Sequence, residues 1–528
     1  MDLGYLLTNA PWLSVLPPIF AIALALWKKE VYSSLFFGVV LAALLLVDFN
    51  PLKLADALIY LFRTMATVMG ENGMILIFLC LLGVLAVLLK KSGGSMAYGN
   101  WAAGAIKSKR GVMLATSALG ALIFVDDYFN CMTVGAVMRP VTDKLKISRV
   151  KLAYLIDATA APICIIAPIS SWALSVGSTI DSVDPSLGGF QQFVNSIPFN
   201  LYALLTIVFL VILSVTCRDF GKMKKFQQTT DATGDVFVTQ EDRMVSADSD
   251  GPVSEKGRVA DLLVPILVLI VVALFFMFYT GGLFRGVGFA EAMGNCDAYV
   301  SMVIGGFAAI VVALLLYLPR RLMTFREAMD SLAEGVKTMI PANLILLLAW
   351  TLVRCCQDLQ TAKFINSLIE SSGIPLGFLP AVIFVVAAAL AFATGTSWGT
   401  FGILLTFVIP ATAGTGTLFT VSLAATLAGA VCGDHISPIS DTTILASTGA
   451  ECNHLDHVKT QIPYALTVAA VCFVGYLIAG FTLNVWITLG ISIALLPLAL
   501  FLAIRLSESW EKRQAKTAEE KTDSQPKE

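Results

Sequence analysis

The feature that most constrains this chain is a series of about eleven apolar runs, each close to the ~20 residues that a membrane-spanning helix needs. Charged residues are 14% of the composition, whereas soluble domains contain about 25%. The chain is therefore predicted to be an all-α polytopic membrane protein with the lipid bilayer as a partner. Its formal net charge is −2 and it has no basic patch interleaved with aromatic residues, so no nucleic-acid partner is expected.

The predicted spans are 12–27, 31–49, 74–91, 150–180 (broken), 197–217, 259–282, 299–318, 338–354, 424–450 (broken), 462–481 and 483–505. Two further apolar segments, 111–138 and 378–413, carry polar residues in their middles. Basic clusters flank segment 111–138 on both sides, so a complete crossing would place one cluster outside, against the positive-inside rule. A re-entrant hairpin keeps both clusters inside, and we predict that arrangement.

The same order of segments occurs twice, offset by roughly 270 residues, as expected for the internal repeats of transporters. DATAAPI at 157–163 parallels DHISPI at 434–439, and FVDDYFN parallels FATGTSWGT. Amphipathic stretches at 54–70 and 322–337 are predicted to lie along the membrane surface. With the first hairpin re-entrant, five crossings separate the starts of the repeats. The chain should therefore contain inverted structural repeats with re-entrant hairpins and broken transmembrane helices.

This organisation divides the chain into six parts. They are an extra N-terminal transmembrane helix (1–30), a first transmembrane repeat (31–217), a cytoplasmic hydrophilic linker (218–258), a connecting transmembrane helix and loop (259–298), a second transmembrane repeat (299–505) and a disordered cytoplasmic tail (506–528). The linker, which begins basic and turns acidic, is expected to be flexible, and the charged tail to lack a packed core.

The segment VCGDHISPISDTTI at 431–444 is the leading candidate for a cation site. A charge at bilayer depth costs roughly 2.5–3.5 kcal/mol even on the mildest scale, and the proline frees backbone carbonyls that need partners. Asp434 and Asp441 could bind a cation or proton, because desolvation raises the pKa of a carboxyl group toward neutrality. The supporting polar groups are His435, Ser437, Ser440, Thr442 and Thr443.

Two residues of this segment keep alternative roles. Asp441 also fits a helix N-cap, because S-D-T-T precedes ILAS. His435 could titrate near neutral pH, could orient Asp434, or could be a satisfied core histidine. The sequence leaves these alternatives open.

Asp157 is the corresponding acid of the first repeat, beside the helix break at Pro162 and the hydroxyl of Thr159. It is predicted to bind a cation or proton, with a purely structural hydrogen bond to a freed backbone donor as the alternative. Asp126 and Asp127 are adjacent, so they can face one cavity only where the helix unwinds, as at a hairpin tip. The alternative is a helix end with solvated carboxylates.

Other polar residues have supporting or solvated roles in this prediction. Asn130 follows the paired aspartates, and the second hairpin tip TGTSWGT offers the oxygens of Thr394, Thr396 and Ser397, unless it is only a flexible loop. His454 and His457 lie beside a predicted cytoplasmic end and are expected to be solvated. The ten cysteines lie mostly singly in apolar runs, which predicts neither a disulfide framework nor a zinc site. No H-E-x-x-H motif is present, so a metalloprotease has no support.

The run GDHISPISDTTILAS, with VDDYFN upstream, resembles the NhaC-type sodium/proton antiporter family over about residues 30–480. The resemblance implies a multi-pass transporter of a bacterial inner membrane, with inverted repeats, hairpins and broken helices. It also implies that the aspartates of both motifs couple cation and proton movement. This chain departs from the family pattern in its extra N-terminal span and its linker.

We therefore expect a secondary transporter, not an enzyme, that extrudes Na+ in exchange for H+. Na+ would bind at Asp157, Asp434 and Asp441, with Asp126 and Asp127 sharing or gating the site. No cofactor is expected, because Na+ and H+ are the transported ions. The rival expectation is a Na+- or H+-coupled transporter or exchanger of a small organic acid or amino acid on the same fold. A homodimer is expected by analogy with similar folds alone.

Overall fold

The computed structural model describes residues 9–28, 31–237, 256–288, 296–361, 375–438 and 440–523, together with residues 6, 254, 292, 363 and 364. The helices of the first half are α1 Leu16–Lys28, α2 Val31–Leu46, α3 Leu54–Glu71, α4 Gly73–Lys91, α5 Gly94–Ala105, α6 Lys109–Leu122, α7 Asp127–Lys144, α8 Arg149–Asp157, α9 Ala161–Cys164, α10 Ser171–Val183, α11 Gly189–Ser196 and α12 Leu201–Thr216. Those that follow are α13 Gly221–Thr233, α14 Val259–Thr280, α15 Ala298–Tyr317, α16 Phe325–Asp358, α17 Leu379–Thr394, α18 Ser397–Thr412, α19 Thr417–His435, α20 Asp441–Ala450, α21 His454–Thr482 and α22 Val485–Asp523.

Most of the apolar runs form the predicted membrane helices, but the run 12–27 does not reach that length, because α1 has only 13 residues. Among the described residues, eight helices are long and apolar enough to cross a membrane, or up to ten if each of two bent pairs counts as one span. The fold is thus the predicted all-α polytopic arrangement.

The first amphipathic stretch forms a separate helix, α3, at a steep angle to α2. The chain turns by 114° between α2 and the helical segment that begins at Pro51. The turn is possible because Asp48 and Phe49 adopt positive φ angles and the Asn50 side chain accepts a hydrogen bond from the backbone N–H of Leu52.

The second amphipathic stretch differs from the prediction. Most of the stretch 322–337 and the span 338–354 form one continuous helix, α16, which begins at Phe325 after a capping box between Thr324 and Glu327. α16 bends by 42° between Ile340 and Asn343.

The two repeats interlock through these amphipathic segments. Lys91 at the end of α4 forms an ion pair with Glu334 of α16 (2.6 Å), and Arg354 near the end of α16 pairs with Glu71 of α3 (2.7 Å). A Cβ atom on Gly83 would collide with the carbonyl oxygen of Gly335, so the two backbones touch there. The amphipathic part of each repeat thus packs on the spanning helix of the other, as inverted orientations require.

Segment 111–138 forms the predicted re-entrant hairpin, α6 and α7. Lys109 at the start of α6 forms an ion pair with Asp231 of α13. Gln227 of the same helix donates a hydrogen bond to the carbonyl oxygen of Lys146, just beyond α7 (2.9 Å). Both ends of the hairpin therefore lie at one end of the bundle. We call this the basic end, defined by Lys91, Lys109 and Arg149.

The second hairpin, α17 and α18, opens at the opposite end of the bundle. The backbone of Gly377, before α17, touches that of Gly480 near the end of α21. Ala413, after α18, lines a cavity with Asp184, which follows α10. Broken helices accompany both hairpins: α8, α9 and α10 in the first half, α19 and α20 in the second.

Two hydrophilic segments differ from their predictions. The linker 218–258 contains α13, which packs at the basic end through Gln227 and Asp231, while residues 238–253 and 255 lie outside the described residues. The tail 506–528 is not disordered as far as Asp523, because α22 continues to that residue. Its Glu, Lys, Arg, Gln and Ala residues are strong helix formers, and a preceding span provides the costly first turns.

Candidate functional site

The hairpin tips and helix breaks meet in the centre of the bundle, and the two halves exchange roles there. In the first half, Asp126 lies in the unwound tip between α6 and α7, and its Oδ2 accepts a hydrogen bond from Ser171 Oγ at the start of α10 (3.3 Å). In the second half, Asp434 lies at the end of α19. Its Oδ2 accepts hydrogen bonds from Ser397 Oγ (2.8 Å) and Ser397 N (3.2 Å) at the start of α18. The hairpin supplies the acid in one half and the hydroxyl in the other.

Each of these aspartates lies against the N-terminus of another helix, Asp126 against α10 and Asp434 against α18. Ser170 caps α10 through a hydrogen bond from Ala173 N, and Thr396 caps α18 through one from Gly399 N. The N-terminus of a helix carries a partial positive charge and unpaired N–H groups, which stabilise a nearby carboxylate. The local folding of α10 and α18 thus supports negative charge at Asp126 and Asp434.

The two halves touch through a pair of tryptophans. Trp172 follows Ser171 and Trp398 follows Ser397, and their ring centroids lie 5.7 Å apart in an edge-to-face arrangement. Both indole N–H groups are buried and have no acceptor within the described part of the chain. The contact joins the start of α10 directly to the start of α18.

Asp157 lies at the end of α8 in a separate cluster of hydrogen-bond donors. Its Oδ2 lies 3.0 Å from Gln461 Nε2, 3.3 Å from His457 Nε2 and 3.9 Å from His435 Nε2. Nδ1 of His435 contacts the hydroxyl of Tyr202 at 2.8 Å. All five side chains are at least 97% buried, so the charge of the carboxylate is shielded from water. We call these five residues the Asp157 cluster.

A continuous series of contacts connects three of the five candidate acids. It runs from Asp126 through Ser171 and Trp172 to Trp398 and Ser397, and then to Asp434. His435, the next residue, reaches Asp157. Direct side-chain contacts and the peptide bond between Asp434 and His435 thus connect these three acids.

His457 and Gln461 were missed at the sequence level, and the expectation that His457 is solvated is wrong. α21 starts at His454, capped by Asn453, and its first turns already lie against α8, so His457 is fully buried. His454 is half-buried, and its Nε2 contacts the carbonyl oxygen of Pro438 at 2.7 Å. A usable signal existed, because His457, Gln461 and Tyr464 recur at helical spacing and form one polar stripe on an apolar helix.

Two of the predicted polar residues, Asn130 and Ser437, connect the hairpins to the helix breaks by hydrogen bonds. Asn130 donates to the carbonyl oxygens of Gly120 (2.7 Å) and Ile123 (2.9 Å) in the first hairpin, and of Thr159 (3.0 Å) in the break after α8. In the other half, Ser437 Oγ donates to the carbonyl oxygen of Phe392 in α17 (2.7 Å). These bonds hold each unwound segment against its hairpin.

Several hydroxyls bond locally instead. Thr159 donates to the carbonyl oxygen of Leu155 in the preceding helix α8, and Thr394 to that of Leu390 in its own helix α17. Ser440 accepts from Thr443 N and contacts Thr442 Oγ1 (3.0 Å), so Ser440 rather than Asp441 is the N-cap of α20. Asp441 is the first residue of α20, and its side chain lies outside the described part.

Asp126 and Asp127 are both buried, so the alternative of solvated carboxylates at a helix end does not hold. Asp127 begins α7, whereas Asp126 lies in the turn before it. The tip is therefore unwound between them, as the prediction required.

Comparison with known proteins adds an independent finding. Residues 177–481 match the Na+/H+ antiporter family. A protein of Haemophilus influenzae described as uncharacterised is 39% identical over 495 residues, which are 90% of this chain and 92% of that protein.

More local similarities involve antiporters of organic solutes. The arginine/ornithine antiporter ArcD of Halobacterium salinarum is 31% identical over 162 residues, 30% of this chain and 32% of its own length. The malate-2H(+)/Na(+)-lactate antiporter of Bacillus subtilis is 27% identical over 173 residues, 30% of this chain and 34% of its own length.

Two solved structures share the fold. The YdaH transporter of Alcanivorax borkumensis has a TM-score of 0.56 at 15% identity and covers 83% of this chain and 90% of its own. MtrF of Neisseria gonorrhoeae has a TM-score of 0.50 at 14% identity and covers 81% and 86%. At these identities the likeness concerns the fold alone.

Proposed function

Because the chain belongs to the Na+/H+ antiporter family, we propose that it extrudes Na+ in exchange for external H+ across the inner membrane of a bacterium. At the coarser level the chain is an integral membrane antiporter of cations or organic acids, and a transporter rather than an enzyme. The observation that carries the finer proposal is the Asp157 cluster, in which two imidazoles and an amide surround one buried carboxylate.

The chemistry of the Asp157 cluster suits exchange. A buried carboxylate must be neutralised by a proton, by an imidazolium or by a metal cation, because an uncompensated buried charge is very costly. In this proposal a proton and Na+ compete for Asp157, and the imidazoles of His457 and His435 take up or release the proton. Competition for one site is sufficient to couple the two ions.

Asp434 and Asp126 extend the proposed site. Each already accepts a hydrogen bond from a serine hydroxyl at a helix N-terminus. Carboxylate and hydroxyl oxygens are ligands that hard cations prefer. We place Na+ at Asp157, Asp434 and Asp441, with Asp126 and Asp127 as partners or gates, and propose no cofactor.

Inverted repeats provide the means of alternating access. The two ends of the first hairpin lie at the basic end of the bundle, and those of the second lie at the opposite end. In this proposal, movement of one hairpin therefore exposes the central acids to one side of the membrane only. Secondary transporters built from inverted repeats expose a site near the midplane in this way. Na+ and H+ bound at the acids would then leave on opposite sides.

A second candidate function has its own support. The buried indole N–H groups of Trp172 and Trp398 lie beside two helix N-termini and have no acceptor among the residues that the structure describes. A carboxylate substrate would use such donors. Two of the similar proteins are named for arginine/ornithine and malate/lactate exchange. A small organic acid or amino acid coupled to Na+ or H+ is therefore the alternative.

One experiment separates the two. The full chain is reconstituted in liposomes that contain a pH dye and carry a proton gradient, and Na+, Li+ and K+ are added separately with no organic solute. Proton movement on adding Na+ alone supports sodium/proton antiport. Silence with each cation, followed by proton movement when arginine, ornithine or malate is added with Na+, would overturn it in favour of the alternative.

A further inference from the structure

A polar cleft lies at the end of the bundle opposite the basic end, outside the site described above. Its volume is about 470 Å³, within the range of ~300–1,000 Å³ typical of small-molecule pockets. α3 of the first repeat forms one wall with Asp56, Tyr60 and Arg63, and the end of α16 forms the other with Arg354 and Asp358. The cleft therefore exists only where the two repeats meet.

The orientation of α3 makes this cleft face water rather than lipid. One face of α3 packs into the bundle with Ala57, Leu61, Thr64 and Val68. A second carries exposed apolar side chains, Leu54, Leu58 and Phe62. At about 100° per residue, Asp56, Tyr60 and Arg63 fall on the flank opposite those apolar residues. If the apolar stripe lies in the membrane surface, the cleft opens to the aqueous phase.

The walls of the cleft are held in place by two contacts between the repeats. The Tyr60 hydroxyl donates to Asp358 Oδ2 (2.6 Å), and Arg354 pairs with Glu71 at the end of α3 (2.7 Å). Asp56 and Arg63 differ from these residues, because neither forms a hydrogen bond or ion pair with any described residue. The cleft thus presents the carboxylate of Asp56 and the guanidinium of Arg63, each without a partner among the described residues, between walls that other contacts hold in place.

The spacing of these two charges limits what can bind. Asp56 and Arg63 are seven positions apart on one helix, which separates their backbones by ~10 Å at 1.5 Å per residue. A ligand that pairs with both must therefore hold its own charges apart on a chain of several atoms. A guanidinium binds a carboxylate through two parallel hydrogen bonds, and a carboxylate binds an ammonium or guanidinium group.

From this geometry we propose that the cleft is an external binding site for an elongated zwitterion, namely an amino acid with a cationic side chain. Its carboxylate pairs with Arg63 and its terminal cation with Asp56. Tyr60 supplies the aromatic wall between the two charges. The site goes beyond sodium/proton exchange, which gives this cleft no role.

The test is a direct binding measurement on the purified full chain by titration calorimetry, without an ion gradient. L-Arginine and L-lysine are compared with hexanoate, with 1,5-diaminopentane, and with glycine, whose two charges are close together. The variants are Arg63→Gln and Asp56→Asn. The matched control is Arg285→Gln, which removes an exposed arginine from the loop after α14. Elution as a single peak in gel filtration confirms that each variant is folded.

We expect saturable binding of arginine and lysine but not of the three comparison solutes. Each cleft variant should weaken binding on the order of tenfold or more, because each loses a charge-assisted contact. Arg285→Gln should have no effect. Absence of saturable binding to the wild type, or affinity unchanged in both cleft variants, would overturn the proposal. Neither result depends on Na+-driven proton movement, so failure here is distinct from failure of the proposed function.

Discussion

Nε2 of His457 lies 3.3 Å from Oδ2 of Asp157, although 300 positions separate the two residues in the chain. The contact places an imidazole of the second half on the carboxylate of a broken helix of the first half. Gln461, one turn further along α21, adds a second donor to the same oxygen (3.0 Å). The chemistry assigned to Asp157 therefore depends on both repeats, and the predictions below start from this cluster.

Replacing Asp157 by Asn should abolish Na+-induced proton movement. The amide has nearly the same shape as the acid but can neither take up a proton nor exchange it for a cation. The measurement is the pH-dye assay in liposomes. Asp330→Asn, which removes an exposed acid from α16, is the control and should retain activity. Wild-type activity in Asp157→Asn would remove this residue from coupling.

Replacing His457 by Ala should slow exchange about tenfold or more, because a hydrogen bond to a charged group contributes roughly 1.5–3 kcal/mol. His457→Gln, which can restore a donor but not a titratable group, should recover part of the rate without the wild-type pH profile. The rate is measured across a range of pH. Lys459→Gln, at an exposed position on the same helix, should behave as wild type. An unaltered pH profile in both His457 variants would assign the imidazole a packing role.

Neutralising Asp434 by Asn should also abolish sodium-dependent proton movement without loss of expression. Ser397→Ala leaves the acid but removes its hydroxyl partner (2.8 Å). This variant should raise the Na+ concentration for half-maximal activity about tenfold. Ser171→Ala should do the same through Asp126. Ser175→Ala is the control, because its hydroxyl donates to a backbone carbonyl of its own helix, that of Ser171 (2.7 Å). Full activity of Asp434→Asn would exclude it from coupling.

Gly83→Ala should destabilise the protein. Its new methyl group would collide with the carbonyl oxygen of Gly335, and overpacking of this kind costs about 1–3 kcal/mol. Gly70→Ala has open space around the added atom and should be neutral or slightly stabilising, since alanine favours helix. Thermal unfolding of the two variants in detergent makes the comparison. Equal melting temperatures would show that the repeats are not packed at this point.

The first hairpin should present both of its ends on one side of the membrane. Single cysteines at Ser108 and Lys146, in a background without the natural cysteines, should react with an impermeant maleimide only when the basic end is accessible. A cysteine at Leu52, which is 93% exposed beside α3, should react from the opposite side. Labelling of Ser108 and Lys146 from different sides would mean that segment 111–138 crosses the membrane.

The architecture was predictable because each sequence pattern that indicates it either lies within one segment or is the sum of many residues. Helix length follows from the length of each apolar run, and the hairpin at 111–138 follows from the basic residues on both of its sides. The inverted repeat follows from the order of the segments. Each of these three features is indicated by many residues at once, so an atypical residue at one position does not obscure the pattern.

The partners of the acids were not predictable in the same way. Asp157 meets His457 and Gln461 across 300 residues, and no spacing rule connects positions so far apart. The S-W pairs at Ser171–Trp172 and Ser397–Trp398 are visible in the sequence. They did not suggest a contact, because the first starts a segment of a broken helix and the second starts the second arm of a hairpin. The helix at 506–523 was missed for another reason, because charged helix formers have the same composition as a disordered tail.

The interlocking of the amphipathic segments has a consequence for biogenesis. The partners of α3, Arg354 and Asp358, are synthesised almost 300 residues after the residues they bind. Glu334, the partner of Lys91, follows it by 243 positions. During translation the first half is therefore inserted with polar helix surfaces that have nothing to bind. An N-terminal half made alone should be retained by membrane quality control and degraded, and a separately expressed C-terminal half should rescue it.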